Sequence, residues 1–142
     1  MAKYKNIVFI SHSGADTWVA RQIADKVTSC GAQPFLDEAD VDVGTEFEEE
    51  IRNMLGKASE FLVLFTPWAF ERPYIWVEIG VSWYRRIPIV VLLYGLTKEE
   101  FLSNPKTPSF LKRRDMISIN NIDKYLDQLQ QRISNVKRKD KK

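Results

Sequence analysis

The chain has 142 residues, a mass of 16.6 kDa and a formal net charge of +2, which is one domain's worth of sequence. Its single cysteine and single histidine exclude an internal disulfide, a cysteine-rich zinc site and a site built from several histidines, so we expect no metal site. No apolar run approaches the ~20 residues of a membrane span and the amino terminus lacks the apolar stretch of a signal peptide, so we expect a small cytoplasmic protein without a membrane partner.

The positive charge is confined to the carboxyl terminus. The last six residues, 137–142, carry five basic groups and one acidic group, whereas the preceding 136 residues carry 16 basic and 18 acidic groups. The body of the chain therefore lacks the basic excess typical of nucleic-acid binding, and we expect no nucleic-acid partner. We predict a single domain over residues 1–136 and a basic, disordered tail over residues 137–142.

The first part of the chain alternates strand and helix patterns. The apolar run at residues 7–10 predicts a strand buried on both faces. Ser13 and Asp16 have the spacing of a capping box, so a helix is predicted to start there and to end at Gly31. Residues 33–36 predict a second strand.

An acidic segment follows this second strand. Residues 37–50 contain eight carboxylates and no basic side chain. Thr45 and Glu48 again have capping-box spacing, so a helix is predicted here, and its dipole favours negative side chains at its start. Residues 61–65 predict the third strand.

The second part of the chain continues the alternation. Pro73 suits the first turn of a helix, residues 87–93 predict a central strand, and Thr97 and Glu100 are predicted to cap a short helix. Residues 116–119 predict a last strand. The final amphipathic helix has an apolar stripe formed by Ile122, Tyr125, Leu126, Leu129, Ile133 and Val136.

This alternation predicts an α/β fold with three layers. We expect a flavodoxin-like, five-stranded parallel sheet of order 2-1-3-4-5 with helices on both faces. Ligands of such sheets bind beyond the carboxyl ends of the strands, where the strand order reverses between strands 1 and 3. The rule directs attention to residues 11–13, 37–47 and 66–78.

Three segments in these regions carry a family resemblance. Residues 8–13 read Val-Phe-Ile-Ser-His-Ser, residues 34–37 read Pro-Phe-Leu-Asp and precede Val-Gly-Thr-Glu-Phe at 43–47, and residues 72–80 read Arg-Pro-Tyr-Ile-Trp-Val-Glu-Ile-Gly. Together they resemble a TIR (Toll/interleukin-1 receptor) domain of the bacterial kind over about residues 4 to 136. Two positions depart from that pattern: Val43 stands where proline is frequent, and Tyr74 stands where catalytic members often have tryptophan.

The resemblance implies an activity. Catalytic TIR domains cleave the nicotinamide–ribose bond of NAD⁺, and the glutamate on the helix after the third strand corresponds to Glu78. Breaking that bond gives the ribosyl group oxocarbenium character, as in glycoside hydrolysis. A carboxylate at ~4 Å stabilises such a cation by about 4 kcal/mol at an effective dielectric constant near 20. The products would be nicotinamide with ADP-ribose or a cyclic ADP-ribose, and the resemblance implies no cofactor, since NAD⁺ is the substrate. The implied role is antiphage defence, with a downstream effector as a further partner.

Other residues are candidates for substrate binding. Tyr74 lies four residues before Glu78, on the same helical face, and could pack on a substrate ring. Phe47 corresponds to a loop aromatic near the substrate in the family. The set is completed by Ser11, His12, Gly44 and Trp83. Each has an ordinary structural alternative: a turn residue for Ser11, His12 and Gly44, and a core aromatic for Phe47, Tyr74 and Trp83.

Other functions are compatible with the same fold. A non-catalytic TIR adaptor would act by TIR–TIR association, in which the acidic segment of one copy could meet Arg85 and Arg86, or residues 112–114, of another. A phosphoacceptor receiver would need an acidic pair after the first strand and an aspartate after the third, where this chain has Ser11, His12 and Thr66.

Overall fold

The computed structural model describes residues 6–36 and 45–140, with the side chains of 45–48, 115 and 136–140 left out of the description. Strands and helices alternate along these residues. Their bounds are β1 (Ile7–Ser11), α1 (Thr17–Ser29), β2 (Gln33–Leu36), α2 (Thr45–Lys57), β3 (Glu60–Phe65), α3 (Pro73–Arg85), β4 (Ile89–Leu93), α4 (Lys98–Ser103), β5 (Asp115–Ser118) and α5 (Ile122–Asp140).

The five strands form one parallel sheet of order β2-β1-β3-β4-β5, which confirms the predicted topology. In this register Ser11 at the end of β1 is paired with Val63 of β3, and Phe65 at the end of β3 is paired with Leu93 of β4. The carboxyl ends of these strands therefore meet where the strand order reverses, which is where ligands of such sheets bind.

Hydrophobic residues fill both faces of the sheet. In β3, Phe61, Val63 and Phe65 belong to a cluster with residues of α2 and α3, whereas Leu62 and Leu64 belong to a second cluster with residues of α1 and α5. Because successive strand side chains point to opposite faces, a continuous apolar run is what a strand covered on both sides requires. The predicted three layers are confirmed.

The helix-capping predictions had different outcomes. Gly31 follows α1 in a left-handed conformation with φ of 95°, and Thr97 and Glu100 form the predicted capping box at the start of α4. Of the box predicted for Ser13 and Asp16, only the Ser13 cap is confirmed, since its hydroxyl accepts from the Ala15 amide at 3.4 Å. A 3₁₀ turn precedes α1, and the Asp16 carboxylate accepts a hydrogen bond from Thr66 instead of returning to the backbone of Ser13. The pair predicted at Thr45 and Glu48 falls on side chains outside the description.

Strands β1, β3 and β5 differ from their predicted bounds by one residue, and two larger shifts have a physical reason. Strand β4 begins at Ile89 rather than at residue 87, because Pro88 has no N–H to donate to the ladder and contributes only its carbonyl, which accepts from the Phe61 amide at 2.9 Å. Helix α5 continues to Asp140, so four residues of the predicted tail are helical. Basic side chains near a helix carboxyl terminus are favoured by its dipole, which is a physical reason for this extension. Within residues 6–36 and 45–140, no helix has the length and apolar character needed to cross a membrane.

Candidate active site

Glu78 lies in the middle of α3 with its side chain turned into the protein. It is 1% exposed, and its Oε1 accepts a hydrogen bond from the hydroxyl of Ser11 at 2.6 Å. Ser11 is the last residue of β1 and shares a sheet face with Phe9, the face covered by α2 and α3. The fold thus brings together two predicted site residues that are 67 positions apart.

This contact has an energetic reason. A carboxylate withdrawn from water loses hydration, and it stays stable in the core when donors replace the lost water. A hydrogen bond to a charged group contributes roughly 1.5–3 kcal/mol, more than one between neutral groups. Ser11 therefore both offsets part of the burial cost of Glu78 and fixes the direction of its carboxylate.

A cavity of about 440 Å³ adjoins Glu78 between α2 and α3. This volume lies within the range of small-molecule sites. Helix α3 contributes Tyr74, Val77, Glu78 and Val81, and helix α2 contributes Ile51, Arg52, Leu55 and Gly56. Tyr74, 46% exposed, thus lines the same cavity as Glu78, as expected for residues four apart on a helix.

Two arginines contribute to this cavity, although neither was among the site residues predicted from the sequence. The guanidinium of Arg85 donates to the carbonyls of Leu55 and Ala58 at 2.8 and 2.9 Å, which ties α3 to the end of α2 and sets the distance between the cavity walls. Arg85 therefore bonds within its own chain, and the contact predicted for Arg85 and Arg86 with another copy stays a prediction. Arg52 is exposed at the rim and pairs with Glu49 at 3.3 Å.

The remaining predicted residues divide into three groups. His12 is buried beside Ser11, and its Nδ1 donates to the Ser13 carbonyl at 2.9 Å, which matches the turn interpretation. Trp83 is five residues after Glu78, about 140° around the helix. Its ring stacks on Phe110 with centroids 5.1 Å apart, so it belongs to a different surface from the cavity. Gly44 and the side chain of Phe47 lie outside the described residues.

Within the described residues, no cluster of three or more histidine, cysteine or carboxylate side chains is arranged to hold a metal ion. The chemistry available in the cavity is that of a buried carboxylate oriented by a hydroxyl, a partly exposed phenol ring and a guanidinium at the rim. This set can stabilise a developing positive charge next to Glu78 while binding an anionic group at Arg52.

Comparisons with known proteins concern the family and the fold of the chain. The family model described as TIR domain matches residues 8–133. A curated relative from Brachypodium distachyon, named "Probable 2' cyclic ADP-D-ribose synthase BdTIR", is 28% identical over 97 residues, covering 67% of this chain and 43% of that protein.

Two solved structures share the fold at 20% identity. A metazoan TIR-STING receptor from C. gigas in complex with 2',3'-cGAMP has a TM-score of 0.63, covering 94% of this chain and 41% of that one. A prokaryotic SEFIR domain has a TM-score of 0.57, covering 88% of this chain and 92% of that one. The chain thus spans less than half the length of both the curated relative and the receptor.

Proposed function

Because the chain belongs to the TIR domain family, we propose that it is an enzyme that cleaves the nicotinamide–ribose bond of NAD⁺. The observation that carries this proposal is the buried carboxylate of Glu78, which Ser11 orients at 2.6 Å and which adjoins a cavity of about 440 Å³ that Tyr74 also lines. Glutamate is rarely fully buried, because its charge loses hydration in the core. A buried glutamate at a cavity wall is expected where its charge acts on a ligand.

The proposed chemistry is a heterolytic cleavage. The C1′–N bond breaks, its electron pair leaves with nicotinamide, and the positive charge moves from the pyridinium ring to the ribosyl group. Glu78 stabilises this oxocarbenium-like species electrostatically. An attraction of about 4 kcal/mol that acts in the transition state alone corresponds to roughly a thousandfold in rate. A nucleophile then captures the cation and releases its proton to solvent.

Other residues have binding roles in this proposal. The Tyr74 ring packs against a flat group of the substrate, and the Arg52 guanidinium at the rim pairs with the diphosphate. Arg52 supplies a positive charge that the acidic segment at residues 37–50 does not, since that segment would repel a diphosphate. In this arrangement the substrate extends from Glu78 toward the rim.

The nature of the capturing nucleophile decides the product. Water gives ADP-ribose, whereas an atom of the same substrate gives a cyclic ADP-ribose. The printed name of the Brachypodium distachyon relative describes a cyclic product, which supports including cyclisation in the proposal. A role in antiphage defence, through NAD⁺ depletion or a cyclic signal read by an effector protein, stays a prediction from the family resemblance, as does a cytoplasmic location.

The test is incubation of the concentrated protein with NAD⁺, followed by chromatographic analysis of nicotinamide and ADP-ribose products. Glu78→Gln keeps the shape and the acceptor for Ser11 but removes the charge, so nicotinamide release should fall by roughly a thousandfold. Glu71→Gln is the matched control, since Glu71 is an exposed glutamate that pairs with Lys106 at 2.7 Å. Equal release by wild type and folded Glu78→Gln would overturn the role of Glu78.

A second candidate function, a non-catalytic adaptor acting by TIR–TIR association, is favoured by one observation. Helix α3 exposes Tyr74, Val77 and Tyr84, the last of them 82% exposed, along one stripe of its surface. Exposed apolar residues in a row are typical of interaction surfaces. Sedimentation of Val77→Asp and Tyr84→Ala against wild type tests it: association lost in these variants, with no NAD⁺ cleavage by wild type, would support the adaptor.

A further inference from the structure

A second cavity, of about 520 Å³, lies at the carboxyl edge of the sheet beside the ends of β3 and β4. Asp16, Thr66, Trp68, Tyr94 and Gly95 contribute to its walls. None of the residues lining it lines the Glu78 cavity, so the two are separate features of the protein.

Asp16 gives this cavity a buried negative charge. The residue is 6% exposed, and its Oδ2 accepts a hydrogen bond from the Thr66 hydroxyl at 2.6 Å. Asp16 occupies the position just before α1, where an aspartate ordinarily caps the helix, yet its side chain makes no capping bond there. Its carboxylate instead forms part of the cavity wall, where it disfavours anions and attracts cations.

Two aromatic side chains complete the cavity. Trp68 is 61% exposed and Tyr94 is 43% exposed, which is a large apolar surface to leave in contact with water at one place. Their backbones are held in place: the Tyr94 amide donates to the Phe65 carbonyl at 3.0 Å, and a hydrogen bond of 3.0 Å from Ala69 to Thr66 closes the turn that contains Trp68. A fixed backbone limits the range of positions that the two rings can take.

We propose that this cavity binds an organic monocation with a flat ring, of the N-alkylpyridinium class. The ring charge is attracted both by the Asp16 carboxylate and by the electron-rich faces of Trp68 and Tyr94. A flat ring also covers the exposed aromatic surface, which a small ammonium ion would leave in water. The proposal does not depend on the proposed NAD⁺ cleavage, because it uses none of the residues assigned to that reaction.

The test is a titration of the ¹⁵N-labelled protein with 1-methylpyridinium chloride, followed by the NMR signals of the Trp68 indole N–H and the Gly95 amide. Pyridine, which is uncharged at neutral pH, is the matched ligand. We expect saturable shifts with methylpyridinium and binding of pyridine weaker by about tenfold or more, since the neutral ring loses the charge attraction to the Asp16 carboxylate.

Variants separate the contributions. Asp16→Asn keeps an acceptor for Thr66 but removes the charge, and it should weaken binding about tenfold. Trp68→Leu and Tyr94→Leu should each weaken binding by about two- to fivefold, the range for an exposed cation–π contact. Trp18→Leu is the matched control, because Trp18 is an exposed tryptophan that does not line the cavity.

Three results would overturn the proposal: no saturable shift in the folded wild type, equal affinity in Asp16→Asn, or shifts centred on Trp83 or Tyr74 instead of Trp68. Repeating the titration with Glu78→Gln distinguishes failure of methylpyridinium binding from failure of the proposed NAD⁺ cleavage. Binding retained there supports a separate site even where NAD⁺ cleavage is absent, and binding lost there would count against it.

Discussion

Glu60 and Glu78 are equally buried glutamates in very different surroundings. Glu60, 2% exposed, begins β3 at the amino edge of the sheet. Arg132 donates to both of its oxygens at 3.0 and 2.8 Å, and the Tyr125 hydroxyl donates at 2.9 Å. Glu78, at the opposite edge, accepts from the neutral hydroxyl of Ser11 and lines a cavity. One carboxylate is balanced by a guanidinium inside the fold, and the other faces space that a ligand can fill.

The comparison shows that burial alone does not distinguish a structural carboxylate from a functional one. The guanidinium beside Glu60 compensates its charge, and removing either partner leaves the other unbalanced in the core. A carboxylate beside a cavity instead stabilises a positive charge that develops on a ligand in that cavity. The same substitution should therefore lower the stability of the protein at Glu60 and its activity at Glu78.

Glu60→Gln should give the largest loss of stability. It leaves the Arg132 charge without its carboxylate, and we expect the free energy of unfolding to fall by about 3 kcal/mol, at the low end for a broken buried pair because Arg132 is about one-third exposed. Glu78→Gln should change it by less than about 1 kcal/mol, since active-site residues are seldom chosen for stability. Urea unfolding of both variants measures this. A larger loss at Glu78 than at Glu60 would contradict the assignment of the two roles.

Arg85→Met should have the next largest effect. It removes a charged donor from the carbonyls of Leu55 and Ala58, so we expect a loss of about 2 kcal/mol and a weaker connection between the two helices that enclose the cavity. The neighbouring Arg86 is exposed, so Arg86→Met is the control for the lost charge. Thermal unfolding of the pair, with the KM for NAD⁺ as a second readout, checks it. Equal unfolding temperatures in the two variants would argue against a structural role for Arg85.

The local features of the fold could be predicted from the sequence, because they depend on neighbours in the chain. The apolar runs of β1, β3 and β4, Gly31 at the end of α1, and the Thr97 capping box all follow from spacings of a few residues. The prediction failed at Asp16, where a hydrogen bond to Thr66, 50 positions away, replaced the local cap.

The contacts of the candidate site were harder to predict for the same reason. Glu78 and Tyr74 were identified through a family resemblance and a helical spacing. The bond from Ser11 to Glu78 joins residues 67 positions apart, and the bonds from Arg85 to the end of α2 join residues about 30 apart. No periodicity encodes such pairs, because they depend on how β1, α2 and α3 pack. Trp83 shows the converse, since a tryptophan near Glu78 in sequence lies on another face of the helix.

Ser11→Ala tests whether the Ser11 hydroxyl positions the Glu78 carboxylate. Loss of the hydroxyl leaves the charge of Glu78 in place but no longer fixes its direction, so we expect kcat for NAD⁺ cleavage to fall by about tenfold, or 1.4 kcal/mol, with little change in KM. Ser82→Ala is the matched control. Ser82 is also buried, but its hydroxyl donates to the backbone carbonyl of Glu78 at 2.9 Å and not to the carboxylate. A kcat lowered equally in both variants would indicate disturbed packing rather than a positioning role for Ser11.

Tyr125→Phe tests the surroundings of Glu60 through the pH dependence of stability. Burial, followed by the charge and the hydrogen bond of Glu60, raises the pKa of the Tyr125 phenol well above its ordinary value near 10. The unfolded chain therefore releases this proton at a lower pH than the folded protein does. The stabilisation by the buried phenol is complete below pH 10 and declines above it.

At neutral pH the Tyr125→Phe variant should be less stable than the wild type by about 1 kcal/mol, the value of one hydrogen bond. Above pH 10 the wild type should lose about 1.4 kcal/mol per pH unit relative to the variant, so that the variant becomes the more stable protein near pH 11. Taking the difference between the two urea-unfolding curves cancels the titration of groups they share, and a difference that stays constant across this range would mean that the phenol is not held protonated beside Glu60.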